Sequence, residues 1–159
     1  MALVRSVRQI EAPAERVWAL VTDWPAHSRW IPLTTVTIDR DSPVGEGIGV
    51  RFTGRTALGP IGFDDPMTVT EWQPPAGGPG RCRVVKRGRV LTGWAEIEVR
   101  QVPGGSRLSW VEDVQPRWTP GFADRMVSWM GKLLFDRTLR RLAHEAVRLN
   151  PQSPEDPTE

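Results

Sequence analysis

Between Thr34 and Gln115 the sequence follows a two-residue hydrophobic period that glycine- and proline-rich segments interrupt five times. These segments are DSPVGEG, RTALGP, QPPAGGPG, KRG and VPGG. Alternation broken in this way is typical of consecutive antiparallel strands. Six strands are predicted, over Thr34 to Arg40, Gly47 to Arg55, Ile61 to Gln73, Arg81 to Arg87, Val90 to Val102 and Ser106 to Gln115.

Helical patterns stand on both sides of this strand region. After a first short strand that ends before Pro13, apolar residues fall at i, i+3, i+4 and i+7 from Ala14 to Val21, which predicts an amphipathic helix. Asp23 is expected to cap a second short helix that Pro32 ends.

From Pro120 to Asn150 apolar residues recur with helical spacing. About 30 residues at 1.5 Å each predict a helix roughly 45 Å long, enough to cross a whole sheet. The order of elements predicts an α+β fold, in which one curved, seven-stranded antiparallel sheet covers the apolar side of the last helix. A sheet wrapped around a helix in this way leaves a hollow between them.

The length of 159 residues fits one domain, predicted over residues 1–150, followed by a disordered acidic tail at 151–159. No apolar run is long enough to span a membrane and no signal peptide is recognisable, so we expect a cytoplasmic protein. With Cys82 as the single cysteine and only His27 and His144 beside it, we expect neither a disulfide nor a metal site, and no cofactor.

Two carboxylates are predicted to face the hollow, because side chains alternate across a strand. Glu112 shares its face with Leu108, Trp110 and Val114. The residues that share the face of Asp65 on its own strand are apolar: Ile61, Phe63, Met67 and Val69. Lys86 has the inward parity and is the simplest partner for either carboxylate, with Arg55 and Arg87 as alternatives. Three roles stay open for the carboxylates: fixing the strand register, contacting a ligand, or acid/base catalysis.

The segment TDWPAHSRWIP, from Thr22 to Pro32, carries Trp24, Trp30 and His27. The two tryptophans are expected either to plug or to line the open end of the hollow. His27 is either a solvated cap on an exposed helix or a general base near the opening, and His144 is expected on the polar side of the last helix. The sequence leaves the orientation of Trp72, Trp94 and Trp118 open.

Four segments together resemble the START-like superfamily, also called SRPBCC or helix-grip proteins, and within it the bacterial polyketide cyclase/dehydrase-like group. They are IEAPAERVWALVTDWPAHSRWIP, VTEWQPP, GGSRLSWVEDV and GKLLFDRTLRRLAHEA. The resemblance implies a helix-grip fold and a deep apolar cavity between the sheet and the last helix. The residues expected to contact a ligand there are Trp24, Trp30, Phe52, Phe63, Met67, Trp110, Glu112, Met126, Trp129 and Leu133.

The resemblance implies a protein that binds or carries a hydrophobic or aromatic small molecule, such as a lipid or a polyketide, without a cofactor. The alternative is a polyketide cyclase or dehydratase that moves protons with Glu112, Asp65 or His27. A third hypothesis is an interaction module that uses the basic run from Arg81 to Arg89, but its charge is too sparse to predict nucleic-acid binding. A monomer or weak homodimer is expected.

Overall fold

The structure is a computed structural model that describes residues 2–117 and 123–148, with side chains described for 3–117 and 136–148. Its strands are β1 (Ala2–Ile10), β2 (Thr34–Ile38), β3 (Arg51–Leu58), β4 (Ile61–Gln73), β5 (Gly80–Arg87), β6 (Leu91–Val102) and β7 (Gly105–Pro116). Its helices are α1 (Ala14–Val21), a 3₁₀ turn (Trp24–Ala26), α2 (His27–Trp30) and α3 (Ala123–Arg148). The predicted tail, residues 151–159, lies outside the described residues.

The seven strands form one curled antiparallel sheet in the order β1-β7-β6-β5-β4-β3-β2, which confirms the predicted fold class. Each strand pairs with its neighbour along the chain except β1, which pairs with β7. This arrangement leaves β1 and β2 at the two edges. Short helices lie between β1 and β2, as the sequence predicts.

The core lies where α1, α2 and the C-terminal part of α3 meet the concave face of the sheet. Val17 and Val21 of α1 are fully buried, as are Leu139 and Leu142 of α3. The 3₁₀ turn begins as predicted, because an Asp23 side-chain oxygen accepts a hydrogen bond from the Ala26 N–H at 3.2 Å.

Polar contacts join α3 to its neighbours. The Ser6 hydroxyl of β1 donates to the Asp136 carboxylate at 2.9 Å. Trp30 Nε1 donates to Glu145 at 2.6 Å, and Arg29 pairs with the same carboxylate at 2.7 Å. The C-terminal part of α3 is therefore tied to both β1 and α2.

Strand β3 begins four residues later than predicted. Gly45, Gly47 and Gly49 all have positive φ angles, between 89° and 114°, so three residues out of five depart from the extended conformation of a regular strand. The glycine-rich segment is therefore a loop. Strand alternation from Gly47 would place Ile48 on the inward face with Val50 and Phe52, but Ile48 is 67% exposed.

A β-bulge in β4 changes which residues face the core. The register with β5 shifts between Val69 and Glu71, so the alternation restarts and Trp72 joins Val69 on the concave face. Trp72 packs edge-on against Trp18 of α1, with ring centroids 5.0 Å apart. Trp94 lies on the opposite, convex face, where the Arg83 guanidinium is 4.6 Å from its ring.

Candidate ligand-binding site

Three ionisable side chains, from β4, β5 and β7, meet on the concave face. Lys86 Nζ is 2.6 Å from an Asp65 oxygen and 3.0 Å from a Glu112 oxygen. Between 10% and 16% of each side chain is exposed. The predicted inward orientation of both carboxylates and their pairing with Lys86 are confirmed. We call these three residues the ion triad.

Glycines stand beside the ion triad on the adjoining strands. Gly54 of β3 is the cross-strand partner of Asp65, and Gly93 of β6 is the partner of Lys86. A Cβ atom at Gly93 would lie 1.9 Å from the Asp113 carbonyl oxygen, and the φ angle of Gly93 is 136°. Neither glycine was singled out from the sequence, because their position beside the ion triad follows only from the strand register.

Two carboxylates share one ammonium group in the ion triad. Burial raises the pKa of Asp65 although Lys86 acts in the opposite direction. Burial by itself lowers the pKa of Lys86, but the two carboxylates outweigh it and hold the pKa above its ordinary 10.5. The ammonium therefore keeps its proton, while burial, with a smaller effect from the Glu112 charge, makes Asp65 a weaker acid than an ordinary aspartic acid.

One oxygen of the ion triad has no partner in the described part of the chain. Asp65 Oδ2 accepts from Lys86 Nζ, while Oδ1 is buried and makes no hydrogen bond to any described residue. Buried polar atoms are normally paired, and an unpaired one costs roughly 1–3 kcal/mol. Asp65 Oδ1 can thus accept a hydrogen bond from a ligand, or donate one when it carries a proton.

His27 is buried, which makes the solvated-cap interpretation wrong. Only 5% of the residue is exposed, and Nε2 lies 2.8 Å from the Val21 carbonyl oxygen. A carbonyl oxygen only accepts, so Nε2 must carry the proton. Burial is the largest influence on His27 and lowers its pKa to about 4, so the ring is neutral near neutral pH. His144, by contrast, is exposed on α3 as predicted.

The aromatic residues predicted to line the site lie close to one another and to His27. Trp24 stacks on Phe52 with centroids 4.4 Å apart and planes 9° apart. The His27 ring lies 5.3 Å from Trp30 and 5.7 Å from Trp110. Trp24 and Trp30 are both buried, so the segment from Thr22 to Pro32 packs its bulky side chains into the protein.

The remaining predicted contact residues divide into two groups. Phe63 and Met67 lie half-buried on β4, and Met67 Sδ is 3.6 Å from Lys86 Nζ. Met126, Trp129 and Leu133 belong to the part of α3 whose side chains lie outside the described set, and Trp118 lies outside the described residues. The described residues therefore supply the sheet side of the expected cavity.

A depression of about 310 Å³ is present on the opposite, convex face. Its walls come from β1, β6 and β7, and they include Arg5, Glu98, Arg100 and Arg107. These charged walls do not match the apolar cavity that the resemblance implies. We therefore place the candidate site at the ion triad, on the concave face.

A family model described as polyketide cyclase/dehydrase and lipid transport matches residues 1–147. The chain belongs to this family. No curated protein shows significant sequence similarity to it.

Solved structures with the same fold include proteins of several bacteria. An aromatase/cyclase from Streptomyces sp. R1128 superposes with a TM-score of 0.65 at 16% identity, over 92% of this chain and 93% of that one. A START superfamily protein from Mycobacterium smegmatis gives a TM-score of 0.71 at 16% identity, over 93% and 99% of the two chains. A protein from Thermus thermophilus gives 0.73 at 16%, over 92% and 97%. At these identities the likeness shows the fold of this family member.

Proposed function

We propose that this protein binds a hydrophobic or aromatic small molecule, lipid- or polyketide-like, between the concave face of its sheet and α3. The observation that carries the proposal is the ion triad with its unpaired Asp65 Oδ1 atom, held among apolar and aromatic side chains. A pocket that is mostly apolar and has a few convergent polar groups is the usual form of a small-molecule site. The polar group of the ligand would bond to Asp65.

The proposal predicts that a matched pair of probes binds with different affinities. The wild-type protein should bind 1-naphthol roughly tenfold or more tightly than naphthalene, because only naphthol can bond to Asp65. In Asp65→Leu this preference should fall to about onefold, while naphthalene binding is kept. Equilibrium dialysis near neutral pH measures both affinities.

Asp64→Leu is the matched control for this experiment. Asp64 is the neighbouring carboxylate on the other face of β4, where it is exposed and paired with Arg55 at 2.9 Å. Its replacement should leave the preference for naphthol unchanged. If neither probe binds, or if Asp65→Leu keeps the preference, the proposal fails.

A second candidate function is cofactor-free proton transfer at an enolisable ketone, as in a polyketide cyclase or dehydratase. The raised pKa of the buried Asp65 favours it, since general acids are made in this way. His27 fits the role less well, because its low pKa makes it a weak base and Nε2 is bonded to a backbone carbonyl.

The probe for this function is 2-tetralone in D₂O, with deuterium uptake at the α-carbon followed by NMR. Wild-type protein should accelerate uptake. Asp65→Asn should lower the rate about a hundredfold or more, the usual contribution of a positioned acid or base, while 2-tetralone still binds. No acceleration by the wild-type protein would exclude the enzymatic function and leave the binding function intact.

A further inference from the structure

Exposed apolar side chains cluster at one end of the sheet. Leu58 and Ile61 face each other across the turn between β3 and β4, and they are 71% and 78% exposed. Leu33 is 60% exposed and lies beside them, since its carbonyl oxygen accepts from the Ala57 N–H at 3.0 Å. Ile61 was predicted to face inward, but it lies at the hairpin tip, beyond the cover of the neighbouring strand.

Arginines stand next to this apolar tip. Arg87 and Arg89 lie at the turn between β5 and β6, and Arg117 is held beside it by a bond from its N–H to the Val90 carbonyl at 3.0 Å. All three side chains are exposed, and none forms an ion pair with a described residue. We call Leu33, Leu58, Ile61, Arg87, Arg89 and Arg117 the rim.

The strand register places the two halves of the rim at the same end of the molecule. A Cβ atom at Gly88 would lie 3.3 Å from the Asp64 carbonyl oxygen, so this turn lies three residues along β4 from Ile61. Three residues of a strand span roughly 10 Å. Asp64 is the one exposed carboxylate between the two halves of the rim among the described residues, and its charge is neutralised by Arg55.

The opposite end of the sheet is apolar without being basic. There the loop between β2 and β3 exposes Val44 fully and Ile48 to 67%. Its charged residues are Asp39, Arg40, Asp41 and Glu46. Asp41 pairs with Arg51 at 2.8 Å, and three carboxylates against one arginine give the loop a net negative charge. The two ends thus share apolar tips and differ in the sign of the charge beside them.

We propose that the rim binds the surface of an anionic lipid bilayer. Apolar side chains that project from a hairpin tip can enter the headgroup region, while arginines nearby attract anionic headgroups with about 1 kcal/mol each. The rim supplies both features within one patch. Arg87 directly follows Lys86 of the ion triad along β5, but its side chain faces the other side of the sheet. Membrane binding at the rim does not depend on the proposed ligand site, because it needs no bound ligand.

The test is flotation of the full chain with vesicles of phosphatidylcholine, with and without about one-third phosphatidylglycerol. The protein should float with the anionic vesicles and much less with pure phosphatidylcholine, and raising the salt from about 0.05 M to 0.5 M should weaken binding. Arg87→Gln with Arg89→Gln should lower the partition coefficient about thirtyfold. Leu58→Ser with Ile61→Ser should lower it at least tenfold.

Val44→Ser with Ile48→Ser is the matched control, because it removes equally exposed apolar groups from the other end of the sheet. It should bind anionic vesicles like the wild type. Equal loss in this control would overturn the proposal. Absence of binding to anionic vesicles would also overturn it. In that case, a dimer that dissociates in Leu58→Ser with Ile61→Ser, measured by sedimentation, would assign the rim to a protein interface. Salt-sensitive binding to a DNA duplex would assign it to nucleic acid.

Discussion

Replacing Lys86 with methionine is expected to lower the free energy of unfolding by about 3–5 kcal/mol. The change removes the ammonium that Asp65 and Glu112 share and leaves two carboxylates on a largely buried face. Urea unfolding followed by tryptophan fluorescence measures the loss. The defect should shrink as the pH is lowered, because the stranded carboxylates then take up protons and need no cation.

Two controls separate this effect from a general loss of packing. The triple variant Lys86→Met, Asp65→Asn and Glu112→Gln should recover most of the stability, since no buried charge is then left without a partner. Arg55→Met breaks an ion pair whose side chains are 60% and 56% exposed, and it should cost no more than about 1 kcal/mol. A loss below about 1 kcal/mol in Lys86→Met would show that the ion triad is not buried as described.

The protein is expected to lose stability in mild acid because of His27. The pKa of His27 is about 4 in the folded protein against 6.5 for the free side chain. Between these values the unfolded chain binds the proton and the folded one does not, so stability falls as the pH falls from about 7 to about 4. The contribution of His27 to this fall is up to about 3 kcal/mol.

His27→Gln isolates that contribution, because glutamine keeps an N–H for the Val21 carbonyl but does not titrate. This variant should be less stable than the wild type near neutral pH, and the difference should shrink by up to about 3 kcal/mol towards pH 4. His144→Gln, at the exposed histidine of α3, should follow the wild-type pH profile. Parallel profiles for wild type and His27→Gln would contradict the buried, neutral state of His27.

The inward faces of Asp65, Glu112 and Lys86 were predicted from alternation alone, and their confirmation shows how far periodicity reaches. In β4, β5 and β7 the apolar residues on one face are frequent enough to fix which carboxylates and which lysine face inward. Alternation gives the face of a residue, however, and not its neighbours in space. The glycines beside the triad therefore became visible only when the strands were paired.

The wrong predictions about the β3 start and His27, and the open orientation of Trp72, fall where the chain departs from regular geometry. The bulge after Val69 reverses the alternation, which is why the orientation of Trp72 could not be read from the strand pattern. Positive φ angles in the loop before β3 moved the start of that strand by four residues. His27 lies on a helix of only four residues, too short for a hydrophobic period to indicate its buried side.

Local periodicity and turn chemistry were enough to predict the order of elements, the antiparallel sheet, the long terminal helix and the inward charges. Three features became visible only in the folded chain: Lys86 pairs with both carboxylates, His27 is neutral and buried, and arginines and apolar residues share one end of the sheet. Each of these depends on which distant segments become neighbours when the sheet curls. Local preferences carry no information about such distances.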